Sequence, residues 1–201
     1  MKIMAFVGSP RKGSNVDILI DTVIEGAHSK TAAEVEKIYL YSADIKNCNG
    51  CGLCSPLMGS KDCPIDDDMP GILQRMLEAD AYIFGTPNHV HTMTSAMTNF
   101  WARLQPLGKM EIIKDDSGQI IGGKSMPLTK GKKAVIVVSQ GDFSPSASAL
   151  LLRVLDSNLK DFQIKKIGEV FSTGNLEKAQ VQSNEHDLRL AFSIGQQLAG
   201  P

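Results

Sequence analysis

Five short apolar runs, alternating with stretches of helical periodicity, restrict this chain to a narrow set of folds. Residues 2–7, 34–40, 81–84, 133–138 and 162–171 read as strands. Residues 16–28 carry Ile18, Leu19, Thr22, Val23 and Gly26 at helical spacing, and further helices are predicted from the Asp66-Asp67-Asp68-Met69-Pro70 run onward, over 95–104, up to about Leu159 and over 185–198. Strands that are apolar throughout have no face to offer water, so the alternation predicts a parallel sheet covered by helices on both sides. The acidic run reads as a helix start, with an aspartate accepting from the free N–H groups and Pro70 tolerated in the first turn. Residues 105–130 stand outside the alternation; there Asp115-Asp116-Ser117-Gly118 predicts a hairpin turn.

Composition excludes several functions. The 201 residues are enough for one well-buried domain, and 42% hydrophobic with 21% charged residues describes an ordinary globular chain. A net charge of −1 offers no basic stripe for nucleic acid and no polybasic membrane patch. No apolar run reaches the length of a membrane span. The opening Met-Lys-Ile-Met-Ala-Phe-Val is unlike a secretory leader, and a cytoplasmic location is expected.

Ligands of parallel sheets bind beyond the carboxyl ends of the strands, near a switch in strand order. Every unusual loop of this chain follows a strand. Gly8-Ser9-Pro10-Arg11-Lys12-Gly13-Ser14-Asn15 follows the first and leads directly into a helix. Backbone N–H groups, hydroxyls, two cations and a helix N-terminus then meet at one point, which suits a phosphate dianion. The loop lacks the Lys-Ser/Thr ending of a Walker loop and the G-x-G-x-x-G of the dinucleotide fingerprint. The bland alternative is a plain strand-to-helix turn capped by Ser14.

All four cysteines lie in the segment after the second strand, as Cys48-x2-Cys51-x2-Cys54-x8-Cys63-Pro64. Two successive C-x2-C steps place three thiols on a glycine-bearing loop, and the final Cys-Pro is like the ending of the bacterial ferredoxin run. Tetrahedral sulfur ligation serves iron–sulfur and zinc alike, whereas zinc ribbons separate their two knuckles by a longer span. Disulfides remain the third reading, at odds with a reducing compartment.

Taken together, these motifs resemble the NADPH-dependent FMN reductases. Gly8-Ser9-Pro10-Arg11-x2-Ser14-Asn15 is similar to their phosphate loop. Thr86-Pro87-Asn88-His89-x5-Ser95-Ala96-Met97-x2-Phe100-x2-Arg103 is similar to their second flavin loop and the helix after it, and Ser139-Gln140-Gly141 stands where a third loop is due. The cysteine run followed by Asp66-Asp67-Asp68-Met69 resembles the iron–sulfur flavoprotein branch of that group. This chain has His89 where the family often has Tyr, Thr98 where it has Lys, and Ala102 where it has Asp.

The resemblance implies a flavodoxin-like three-layer sandwich, α/β, with a five-stranded parallel sheet in the order 2-1-3-4-5. The whole chain, 1–201, would form one FMN-binding domain with a cysteine-rich insertion at about 45–68 and an interface or lid segment at about 105–130. Ser9, Arg11, Gly13, Ser14, Asn15 and Val16 would hold the FMN phosphate; Thr86, Pro87, Asn88, His89 and Val90 would line the ring; Ser139 and Gly141 would close its far edge. Cys48, Cys51, Cys54 and Cys63 would hold a [4Fe–4S] cluster. His89 alone has a candidate catalytic role, while His91 reads as a loop anchor, Met93–Met97 as packing and Trp101 as core or interface.

The activity so implied is that of an FMN-dependent oxidoreductase passing electrons between NAD(P)H, or a reduced carrier such as ferredoxin, and a small acceptor such as a quinone or flavin. A homodimer or homotetramer is expected, with cluster and flavin facing across a subunit boundary. Two alternatives stand beside it: an electron carrier without substrate turnover, and a flavin reductase whose cysteines hold zinc or nothing.

Overall fold

The computed structural model describes residues 1–58 and 62–200. Five strands form one parallel sheet: β1 (Lys2–Val7), β2 (Glu34–Tyr39), β3 (Ala81–Pro87), β6 (Lys133–Ser139) and β7 (Lys165–Ser172). Their order is β2-β1-β3-β6-β7, which is 2-1-3-4-5 when only the strands of this sheet are numbered. Two further strands, β4 (Met110–Lys114) and β5 (Ile120–Ser125), pair antiparallel in a separate hairpin. The turn falls where Asp115–Gly118 predicted it: Asp115 Oδ1 accepts from the Ser117 and Gln119 N–H groups, and Gly118 takes φ +83°.

The period of two along each strand sorts side chains into two layers. Ile3, Ala5 and Val7 of β1 face α1 (Asn15–His28) and α5 (Glu185–Leu198), while Met4 and Phe6 face α2 (Met69–Glu78), α3 (Ser95–Arg103) and α4 (Ala149–Asp161). An aromatic stack fills the second layer, with Phe6 on Phe84 at 5.4 Å and Phe84 against Trp101 at 4.7 Å. Met93, Met97 and Trp101 are all buried there.

The start of α2 differs from its reading in the sequence. Asp68 occupies the cap position, but its side chain makes no capping bond. Its Oδ2 accepts instead from the Asp44 N–H at 2.8 Å, and the neighbouring Asp67 Oδ1 takes the Met69 N–H at 3.0 Å. The acidic run therefore ties the two ends of the cysteine segment together as well as beginning a helix. Of the predicted insertion at 45–68, residues 59–61 lie outside the described residues.

Candidate functional site

Strand order reverses between β1 and β3, and the loops after β1, β3, β6 and β7 meet around a cavity of about 120 Å³. Ser9, Arg11, Ser14, Asn15, Val16, Pro87, Asn88, His89, Ser139 and Gly141 line it, all singled out from the sequence. Gly13, Thr86 and Val90 do not.

The floor is the loop from Gly8 to Ser14. Gly8 donates to the Gly85 carbonyl at 2.7 Å, so close that a Cβ on Gly8 would lie 2.9 Å from that oxygen. Gly13 takes φ +66° and donates to Asp17 Oδ2 at 2.6 Å. Ser14 caps α1 by accepting from the Asp17 N–H at 3.3 Å. The N–H groups of Asn15 and Val16 have no partner available within the helix and point towards its N-terminal end. The Asn15 side chain ties this loop to the one at 177–181: its Nδ2 donates to the Glu177 carbonyl at 2.8 Å and its Oδ1 accepts from Val181 N–H at 2.9 Å.

Asp17 is a buried carboxylate one turn from this anion-binding geometry. Its charge is neutralised from β2: Lys37 forms an ion pair with it, and the Tyr39 hydroxyl donates to it at 3.2 Å. Burial pulls the Lys37 pKa down, but the bonds to Asp17 and Asp21 outweigh it and hold the ammonium above its ordinary value. Lys12 turns towards β2 as well, with its Nζ 4.9 Å from the centre of the Tyr39 ring.

The opposite wall joins the loops after β3 and β6. Asn88 N–H donates to the Ser139 carbonyl at 2.9 Å; its Nδ2 reaches Gln140 Oε1 and the Ala147 carbonyl, both at 3.1 Å. Its Oδ1 is buried and has no partner among the described residues. His91 holds the Ala147 carbonyl through Nδ1 at 2.7 Å. Thr86 is wholly buried beneath, where its hydroxyl accepts from Thr94 N–H at 3.2 Å and donates to the Pro87 carbonyl. Val90 and His91 take φ +51° and +64° in a tight reversal closed by mutual His89–Thr92 bonds. A β-branched residue in the left-handed region is strained, and Val90 is also 91% exposed at the rim.

Sequence reasoning missed Gln140 and Asn175. Gln140 is buried and braces the wall by accepting from Asn88 and the Ser148 hydroxyl while donating to the Asp142 and Ser144 carbonyls. Asn175 follows β7, so the rule that ligands gather beyond strand ends, extended to that strand, would have found it.

The cysteine segment leaves the end of β2. Cys48 and Cys51 are exposed, Cys54 and Cys63 half-buried, and all four are free thiols. Gly50 and Gly52 adopt φ +68° and +74°, allowing the tight path of the Cys48–Cys54 loop. Burial pushes the Cys54 thiol up, against a backbone hydrogen bond that pulls it down, and the neighbouring cysteines add to the rise. Among the described residues no group of three or more His, Cys, Asp or Glu is arranged to hold a metal ion. The donor set, four soft thiols with an arginine beside one of them, suits iron–sulfur ligation chemically.

That arginine comes from α3. The cap of α3, Thr94, donates to the Gly8 carbonyl of the first loop at 2.7 Å. At the far end, Arg103 pairs with Asp67 (Nη1 to Oδ2 at 2.5 Å, Nη2 to Oδ1 at 3.1 Å) and donates to the Lys46 carbonyl at 2.6 Å. Asn99, one turn earlier, donates to the Ile45 carbonyl at 3.0 Å. Burial alone would raise the Asp67 pKa, but hydrogen bonds from Arg103 and from the Met69 and Lys46 N–H groups hold the carboxyl below its ordinary range. One helix thus connects the cavity to the root of the cysteine segment.

A family model described as NADPH-dependent FMN reductase matches residues 1–166. The chain belongs to that family. FMN is the family's flavin and NAD(P)H its reductant, so this member is an NAD(P)H-dependent oxidoreductase with the flavodoxin-like fold. An "iron-sulfur flavoprotein" of Archaeoglobus fulgidus is 26% identical over 196 residues, covering 94% of this chain and 87% of that one. A protein of the same description from Methanosarcina thermophila is 33% identical over 107 residues, 53% of this chain and 50% of its own. Among solved structures, an NAD(P)H:quinone oxidoreductase from Methanothermobacter marburgensis matches with a TM-score of 0.74 at 17% identity over 98% of each chain. An FMN-dependent NADH-azoreductase from Bacillus anthracis matches with 0.72 at 13% identity over 99% of each. At such identities these structures speak for the shared fold.

Proposed function

We propose that this FMN reductase family member carries a [4Fe–4S] cluster on Cys48, Cys51, Cys54 and Cys63 and passes electrons between NAD(P)H and a small acceptor such as a quinone or flavin. One observation carries the reading: α3 bonds the Gly8 loop at its first turn and Asp67 and Cys63 at its last, so the flavin cavity and the cysteines share one rigid element. The description borne by the relatives supports the cluster.

FMN would supply hydride acceptance and the cluster single-electron transfer, and the protein positions both. The Asn15 and Val16 N–H groups, with Ser9, Ser14 and Arg11, would hold the phosphate; Asn88 Oδ1 offers an acceptor to a donor on the ligand; His89 and Val90 would meet the ring at the rim. Lys37 keeps Asp17 from repelling the phosphate.

A second copy of the chain completes the assembly in this reading. The hairpin carries exposed Met110, Ile113, Ile120 and Ile121, and a two-stranded ribbon is marginal alone. Its base borders a hollow of about 620 Å³ lined by Trp101, whose buried indole N–H has no partner among the described residues. No helix among the described residues is long and apolar enough to cross a membrane. A cytoplasmic setting, as expected from the sequence, would keep the four thiols reduced for metal ligation.

The test is anaerobic purification with a visible spectrum, iron, sulfide and zinc analysis, and steady-state assays with NADH or NADPH. Flavin bands over a broad sulfur-to-iron shoulder, with quinone or FMN reduction, are expected. Zinc without sulfide would assign the cysteines to a structural metal. Cluster reduction by ferredoxin without NAD(P)H turnover would make the protein a carrier.

A further inference from the structure

The Arg103 side chain is 2% exposed and that of Asp67 is 0% exposed. Buried ion pairs of this kind are weak stabilisers, because desolvation offsets most of the attraction. The geometry shows what else this pair does. A guanidinium presents five donors in a fixed plane. Two are spent on Asp67 and one on the Lys46 carbonyl, and the plane so fixed brings Nη2 to 3.7 Å from Cys63 Sγ. Asp67 balances the arginine's charge, so what reaches the sulfur is an oriented N–H on a pair that is neutral as a whole.

We propose that Arg103 is a positioning residue that tunes the reduction potential of the centre ligated by Cys63. The inference rests on the iron–sulfur reading of the cysteines. On reduction the centre gains one electron, no bond is made or broken, and the added charge is shared with the ligand sulfurs. An N–H donor aimed at one of them stabilises the reduced form more than the oxidised form and makes the potential more positive. Asp67 works in the opposite sense, since its negative charge lies behind the same donor. Lysine cannot substitute for Arg103, because one ammonium cannot span Asp67, Lys46 and Cys63 together.

The test compares wild type with Arg103→Lys and Asp67→Asn, each purified anaerobically and checked for folding, FMN, iron and sulfide. Cluster midpoints are read by electron paramagnetic resonance during dithionite titration, and the flavin midpoint in the same sample is the internal reference. Arg103→Lys keeps the charge and loses the aimed donor, so its cluster midpoint becomes more negative. Asp67→Asn keeps the shape and loses the opposing charge, so its midpoint becomes more positive, and the flavin midpoint stays in place in both. A purely structural role predicts unchanged cluster midpoints or shifts of one sign, and either result overturns the proposal. Iron loss with FMN retained overturns it too, because Arg103 would then hold the cluster rather than tune it. Should Arg103→Lys not fold, the near-isosteric Asp67→Asn still decides by its sign. Wild-type protein with flavin but no iron or sulfide removes the underlying iron–sulfur reading, and this is evident before any variant is titrated.

Discussion

Single side chains at the cavity and at the cysteine root do different kinds of work. Ser14 serves the helix through its capping bond to Asp17 N–H, and by position it also borders the cavity. Ser14→Ala should therefore lower stability by about 1 kcal/mol in urea unfolding and weaken FMN binding in a fluorescence titration. Arg11 is exposed, so its effect on a bound phosphate is screened by water and salt. Arg11→Ala should weaken FMN binding by about tenfold at low salt, shrinking as salt is added, without changing unfolding; this corresponds to the lower end of a charge-assisted bond, about 1.5 kcal/mol. Asp67 gives a pH signature. Its folded pKa lies below the unfolded value, so the stability it contributes is complete above about pH 4 and is lost as pH falls through the depressed value. Asp67→Asn should flatten that acid limb of the stability curve, measured by thermal melts from pH 2 to 6.

At the scale of elements, α1 and α5 are held in contact by glycines. A Cβ on Gly195 would meet the Val23 carbonyl oxygen at 2.0 Å, and one on Gly26 would meet that of Phe192 at 2.1 Å. Both obstacles are backbone atoms inside helices and cannot rotate aside. Gly195→Ala should push the helices apart and destabilise the fold by about 1–3 kcal/mol, despite alanine's better helix propensity, as read by chemical denaturation. The helical spacing around Gly26 was visible in the sequence, but the crossing that forbids a side chain there was not. The same holds for α2. An acidic run before a proline announced a helix start, yet which carboxylate would cap and which would reach Asp44 and Lys46 depended on where the chain after β2 lay.

For the whole molecule, the hairpin is an element whose apolar side chains the described residues leave largely exposed. Ile121 is 63% exposed on β5. If a second copy covers this ribbon, Ile121→Asp should halve the mass found by light scattering while leaving the far-UV spectrum of the chain unchanged. Mass unaffected by the substitution would put the contact elsewhere.

Much of this architecture was legible because period and order are local properties. Apolar runs alternating with amphipathic ones dictate a parallel sheet, and a parallel sheet brings the loops after its strands to one edge. That edge gathered ten of the residues marked from sequence. Side-chain commitments were not legible. Asn15 spends its amide on the loop at 177–181, Thr86 turns beneath the cavity, and Gln140 ties the loop after β3 to the loop after β6. The Asn15 and Gln140 contacts depend on partners dozens of residues away, Glu177, Val181 and Asn88. The amino-acid order by itself determined the elements, the sheet they build and the soft-donor chemistry of four clustered cysteines. Only tertiary structure decided that α3 would run from the Gly8 loop to Cys63 and bury Arg103 against Asp67, because hydrogen-bond partners separated by dozens of residues are chosen by packing and not by spacing.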